Sequence, residues 1–62
     1  MATFTFYIHD DRYTVPNLAI VDADDEAGAR ILAGDRLLES PHHTAIDVCE
    51  ADVLRFSVKA RD

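Results

Sequence analysis

The side chains able to do chemistry in this chain are three histidines, one cysteine and twelve carboxylates. His42 and His43 stand together and raise the question of a metal. Adjacent residues diverge in helix and strand alike, so neighbouring imidazoles seldom chelate one ion without further ligands close by. Zinc takes three or four ligands, usually Cys or His, and the single thiol is Cys49. A solvated loop after a helix explains the pair better. Cys49 becomes a nucleophile only beside a base that favours its thiolate. Asp47 shares its side of an alternating stretch, and a carboxylate there disfavours the thiolate. A passive strand cysteine is expected. His9 beside Asp10 and Asp11 is an ordinary surface arrangement that requires no general base.

Carboxylates are paired at Asp10-Asp11 and Asp24-Asp25. Acid–base catalysis needs two carboxyls held across a substrate in unlike environments. These pairs fall at a turn and at a helix start, where solvation and capping account for them. No Gly-rich phosphate loop or nucleophile elbow occurs. Asp22-Ala23-Asp24-Asp25-Glu26 lacks the later glycine and closing glutamate of a calcium loop. The expectation is a non-enzymatic protein with no cofactor, whose work is binding.

Composition narrows the partner. Six basic residues against twelve acidic ones give a formal charge of -6, with a sequence pI near 4.7. Such a surface repels phosphate backbones and anionic lipid, so it is expected to bind neither nucleic acid nor membrane directly. Basic protein surfaces are the natural target. A hydrophobic fraction of 48% is too high for disorder. At 62 residues the chain is read as one domain, 1–62, with a thin core and no roomy substrate cleft. One cysteine forms no internal disulfide. MATFTFYIHD has neither the basic start nor the apolar run of a signal peptide, and no run of roughly 20 apolar residues occurs. A monomer in the reducing cytoplasm of a bacterial host is expected.

The elements follow from periodicity. Phe4, Phe6 and Ile8 alternate with Thr3, Thr5, Tyr7 and His9, the pattern of a strand with one buried face. Asp10-Asp11 offers a turn. A second strand is read from Arg12 to Val21, with a bulge at Pro16 to absorb its parity slip. Acidic residues then precede an Ala/Leu-rich run, marking a helix that Ser40-Pro41 stops. Ala27, Ile31, Gly34, Leu37 and Leu38 fall on one stripe, with Ala29, Arg36 and Glu39 facing away. Close approach to a sheet is the reason given for Gly34. Ile46 and Val48, then Leu54, Phe56 and Val58, form a second hairpin around Glu50-Ala51-Asp52. The fold class is α+β: ββαββ, a four-stranded, mainly antiparallel sheet with one helix on one face. Its predicted core is Phe4, Phe6, Ile8, Ile31, Leu38, Ile46, Val48, Leu54, Phe56 and Val58. The other face (Thr5, Tyr7, Asp47, Cys49, Arg55, Ser57, Lys59) is polar enough to meet water.

Acids crowd the first half at Asp10, Asp11, Asp22, Asp24, Asp25 and Glu26, and surround the second hairpin at Asp47, Glu50 and Asp52. Arg55, Lys59 and Arg61 gather near the end. Turns and helix starts attract acids, yet the excess leaves a negative surface able to imitate phosphate spacing. These nine carboxylates are the candidate partner-binding residues, the first six ahead of the other three. Each would replace a phosphate oxygen opposite Arg or Lys.

The opening TFTFYIHDDRY, the helix DDEAGARILAGDRLL and the hairpin TAIDVCEADVLRFSV resemble small bacterial and phage-borne proteins along nearly the whole chain. Most of all they resemble the small acidic anti-CRISPR inhibitors acting on type I-C systems. That likeness rests on fold-level alternation and caps. It implies a phage or mobile-element inhibitor of the Cascade surveillance complex that blocks target DNA binding as a DNA mimic, at the large subunit that reads the PAM. The family shares no residue motif, so no residue role transfers. The alternatives are an uncharacterised bacterial interaction module that self-associates through a sheet edge, and a minor enzyme or metal protein.

Overall fold

A computed structural model describes residues 1–60 as four strands and a helix. In chain order these are β1 (Ala2–Asp10), β2 (Asn17–Ala23), α1 (Glu26–Leu37), β3 (His43–Glu50) and β4 (Val53–Lys59). The strands form one sheet in the order β2-β1-β3-β4, every neighbouring pair antiparallel. The ββαββ architecture expected from periodicity is the one observed. Arg61, expected to join Arg55 and Lys59, lies outside the described residues.

Alternation in β1 buries Phe4, Phe6 and Ile8, and alternation in β3 buries Ile46 and Val48. Pairing places Phe6 opposite Val48 and Ile8 opposite Ile46, so the largest core side chains share the two central strands. Phe56 and Val58 of β4 are partly buried against them.

The helix turns a different face from the expected one. Ala29, Ala33 and Leu37 are buried, whereas Ile31 and Leu38 are 68% and 83% exposed. Ala27 is also exposed, and Gly34 is only half-buried. Volume explains the rotation. Phe4, Phe6, Ile46 and Val48 already fill the layer beneath α1, and close packing leaves room for the methyl groups of Ala29 and Ala33 along most of the helix, with Leu37 admitted at its C-terminal end. Leu38 follows the last helical turn and points outward. Leu54, expected inside, is 59% exposed. A register shift between Val48 and Cys49 sets it opposite Cys49, on the face away from the helix.

The first hairpin also departs from expectation. Residues 11–16 form a loop and β2 begins only at Asn17, so the parity slip near Pro16 marks a strand start rather than a bulge. The Asp10 carboxylate accepts the backbone N–H of Arg12 at 2.8 Å, which turns the chain early. Ladder irregularities lie instead at His9/Asp10 and Val48/Cys49. In the second hairpin Ala51 and Asp52 both have positive φ, 53° and 65°, matching the turn whose twist suits a tight hairpin.

Asp25 caps α1, accepting the Gly28 N–H at 2.8 Å. Gly28 is the helical glycine near other atoms: a Cβ there would lie 3.4 Å from Asp25 Oδ1 and 3.7 Å from Ala23 Cβ. A Cβ at Gly34 meets nothing within 4 Å, which overturns the close-approach explanation. Gly34→Ala is therefore expected to stabilise the fold by about 1 kcal/mol. A higher urea midpoint at unchanged slope would show it; a lower one would refute the open space.

Candidate functional site

The register sorts the nine candidate carboxylates by place. Thr3 of β1 pairs with Asp22, and Thr5 pairs with Cys49, so the end of β2 and the end of β3 lie at the same end of the sheet. The helix starts there too. Asp22, Asp24, Asp25, Glu26, Glu50 and Asp52 thus share one end of the molecule, across all four strands. Arg30 lies 3.9 Å from Glu26, and Arg55 lies 3.4 Å from Glu50. Asp22 accepts from the Thr3 hydroxyl at 2.8 Å, and Asp25 is the helix cap. Among the described residues, Asp24 and Asp52 form no side-chain hydrogen bond or ion pair and are exposed.

Three candidates lie elsewhere. Asp11, at the opposite end, accepts from His42 Nδ1 at 3.0 Å. Asp47, on the sheet face away from the helix, accepts from the Ser57 hydroxyl at 2.6 Å and from His9 Nε2 at 3.0 Å. Asp10 is buried, its side chain 2% exposed, and it is removed from the candidate surface. Its two oxygens take Arg12 Nε at 3.0 Å and Nη2 at 2.8 Å, a bidentate pair that ties the loop to the strand end.

These partners set an acid response. The Arg12 guanidinium holds Asp10 down at about 2, against an ordinary 3.8. The Ser57 hydroxyl, and after it His9, lowers Asp47 as well. A carboxylate depressed on folding contributes its full stability above the unfolded value and loses it as pH falls through the folded one. The urea midpoint should therefore fall as pH drops from about 4 towards 2. Arg12→Ala should flatten that fall, and an unchanged pH profile would show the pair to be inert.

Ser57, Asp47 and His9 bring serine, carboxylate and imidazole within bonding distance, and sequence spacing gave no warning of it. The order is wrong for acyl transfer. A nucleophilic serine must donate to the imidazole, with the carboxylate behind it. Here the carboxylate sits between the two, and the hydroxyl donates to it. The group is a cross-strand polar tie. His43 donates from Nδ1 to the Arg36 carbonyl at 3.0 Å, closing the helix C-terminus. Cys49 lies six residues along β3 from His43, about 20 Å at strand rise. Among the described residues no three His, Cys, Asp or Glu side chains come together to hold a metal ion, and no helix is long and apolar enough to cross a membrane.

The sheet face away from the helix is less polar than expected. Leu18 stands opposite Tyr7, Ile20 opposite Thr5, and Leu54 opposite Cys49. Leu18 and Ile20 are 60% and 69% exposed. Reading β2 through Pro16 left the orientation of these two side chains unassigned, and the bulge brought Leu54 over to join them.

No protein family, curated protein or solved structure matches the chain.

Proposed function

We propose that the chain is a non-enzymatic binding protein whose acidic end docks on a basic, nucleic-acid-handling protein surface. The observation that carries this reading is the convergence of Asp22, Asp24, Asp25, Glu26, Glu50 and Asp52 on one end of a small rigid fold. Three inter-strand spacings separate β2 from β4, about 14 Å, close to the roughly 12 Å width of a DNA major groove. Carboxylates at that spread present Arg and Lys side chains with charges at phosphate-like separations. Between Asp24 and α1 lies an open groove of about 420 Å³ that also carries Met1, Ile31 and Leu32. Its apolar floor suits the aliphatic stems of long basic side chains.

The resemblance to type I-C anti-CRISPR inhibitors gives this surface a specific target, the DNA channel of Cascade, at the large subunit. Asp24→Lys with Asp52→Lys is the decisive variant: neither side chain bonds another among the described residues, and because a lysine at position 52 must keep the turn's φ of 65°, circular dichroism checks that the hairpin survives. Competition with target DNA for purified Cascade should weaken at least about tenfold, since reversal replaces attraction with repulsion. Asp35→Lys with Glu39→Lys changes net charge equally at the far end of α1 and should weaken it much less. Equal losses would mean that bulk charge acts, and undiminished inhibition by the first variant would discard the acidic end.

A further inference from the structure

We infer that β2 is a homodimerisation edge: two copies pair β2 to β2, antiparallel about a two-fold axis through Ile20, giving one continuous eight-stranded sheet. The sheet has two edges, β2 and β4, and they are unlike. β4 carries Arg55 and Lys59 and is disturbed by the register shift opposite Val48/Cys49. Cationic side chains and bulges are the devices that keep an edge from pairing. β2 runs Asn-Leu-Ala-Ile-Val-Asp-Ala with no Lys, Arg or Pro inside it and no register shift against β1. No backbone hydrogen bond outside the ladder involves residues 17–23 among the described residues. Its outer N–H and C=O groups face solvent beside exposed Leu18 and Ile20.

Face matching shows that β2 is self-complementary and fixes the register in which a second copy fits. Paired residues must point to the same face, so a symmetric pair that keeps both helices on one side centres on a residue, not between two. Centring on Ile20 uses all seven residues of β2. It sets Ile20 against Ile20 of the second copy, Leu18 against Asp22, and Ala19 against Val21. The helix-side face then continues across the seam through Ala19 and Val21, and the open face through the Ile20 pair. The two Asp22 carboxylates end up four residues apart along the strands, about 13 Å, beyond the roughly 8 Å screening length at physiological salt. Each acidic end lies beside the 11–16 loop of the other copy, whose Arg12 is already held by Asp10, and both acidic ends stay exposed. Centring on Asp22 would oppose like charges directly and shorten the overlap.

Sedimentation of the full chain over roughly 1–500 μM should show a monomer–dimer equilibrium, because a seven-residue edge buries less than a standard interface. Ile20→Lys should raise the dissociation constant at least tenfold with unchanged circular dichroism. Val53→Lys, on the other edge, should leave it within about twofold. In a Cys49→Ser background, Ile20→Cys should form a covalent dimer under mild oxidation while Leu18→Cys does not. A chain monomeric throughout, a dimer indifferent to Ile20→Lys, or one lost with Val53→Lys would overturn the inference. Dimer loss with DNA competition by the acidic end intact separates this inference from the proposed function, since Ile20 lies outside that end.

Discussion

Phe6→Ala is expected to remove a large part of the stability of the fold. Phe6 is 1% exposed and sits in the middle of β1, between Ala19 of β2 and Val48 of β3, under the helix. Truncating a buried phenylalanine costs about 3–5 kcal/mol, the lost transfer free energy plus the cavity left behind. At about 0.05–0.15 kcal/mol per residue, a 62-residue chain has roughly 3–9 kcal/mol in total. With so thin a core little can take up the loss, and the helix contributes chiefly the short side chains of Ala29 and Ala33 to the same cluster. The melting temperature should fall by about 12–40 °C, at roughly 4–8 °C per kcal/mol. Leu54→Ala, on the open face, should shift it by only a few degrees. A Phe6→Ala shift as small as that of Leu54→Ala would place the core elsewhere.

How legible the fold was depended on which period carried the signal. Strand alternation names faces wherever the ladder is regular, so Phe4, Phe6, Ile8, Ile46 and Val48 were found at the centre, and the element order followed. Helix phase was harder to see. A hydrophobic stripe through Ile31, Gly34, Leu37 and Leu38 looks like the buried side, but the sheet beneath decides how much volume α1 may insert. The four large side chains of the central strands made that space small, and alanines won it. Bulge positions were invisible as well, because no residue type marks the shift that carries Leu54 outward.

The candidate site was legible in kind and only partly in place. Acidic turns and caps announce carboxylates, yet which turns share an end follows from strand order, and that order emerges on pairing. Knowing β2-β1-β3-β4 brings Glu50 and Asp52 to the end that holds Asp22 to Glu26, and sends Asp11 to the other. Burial of Asp10 was hidden by its exposed neighbours and by a partner, Arg12, only two residues away. The rotated helix contributes to the same surface. Turning Ile31 and Leu32 outward puts apolar area beside Asp24 and Asp25, in the groove at the acidic end.

That rotation leads to the second large effect, a pair of variants two residues apart on opposite faces of α1. Ala33→Glu is expected to unfold the chain, whereas Ile31→Glu is expected to leave stability within about 0.5 kcal/mol. Ala33 is fully buried against the sheet, and Ile31 is 68% exposed. A glutamate at position 33 replaces a fully buried methyl group of the core, and although Arg30 and Arg36 stand three residues to either side, it reaches them only by leaving the interior; a carboxylate kept there costs several kcal/mol. It must also displace packed atoms, at a further cost of about 1–3 kcal/mol. Together these approach or exceed the whole stability estimated above. At position 31 the carboxylate stays in water, and glutamate is a good helix former, which offsets the lost isoleucine contacts. Urea titrations of both variants decide between the two phases of α1. The opposite ranking, Ile31→Glu severe and Ala33→Glu mild, would restore the isoleucine stripe to the core. It would also close the apolar groove at the acidic end, and with it the floor on which a basic partner is proposed to rest.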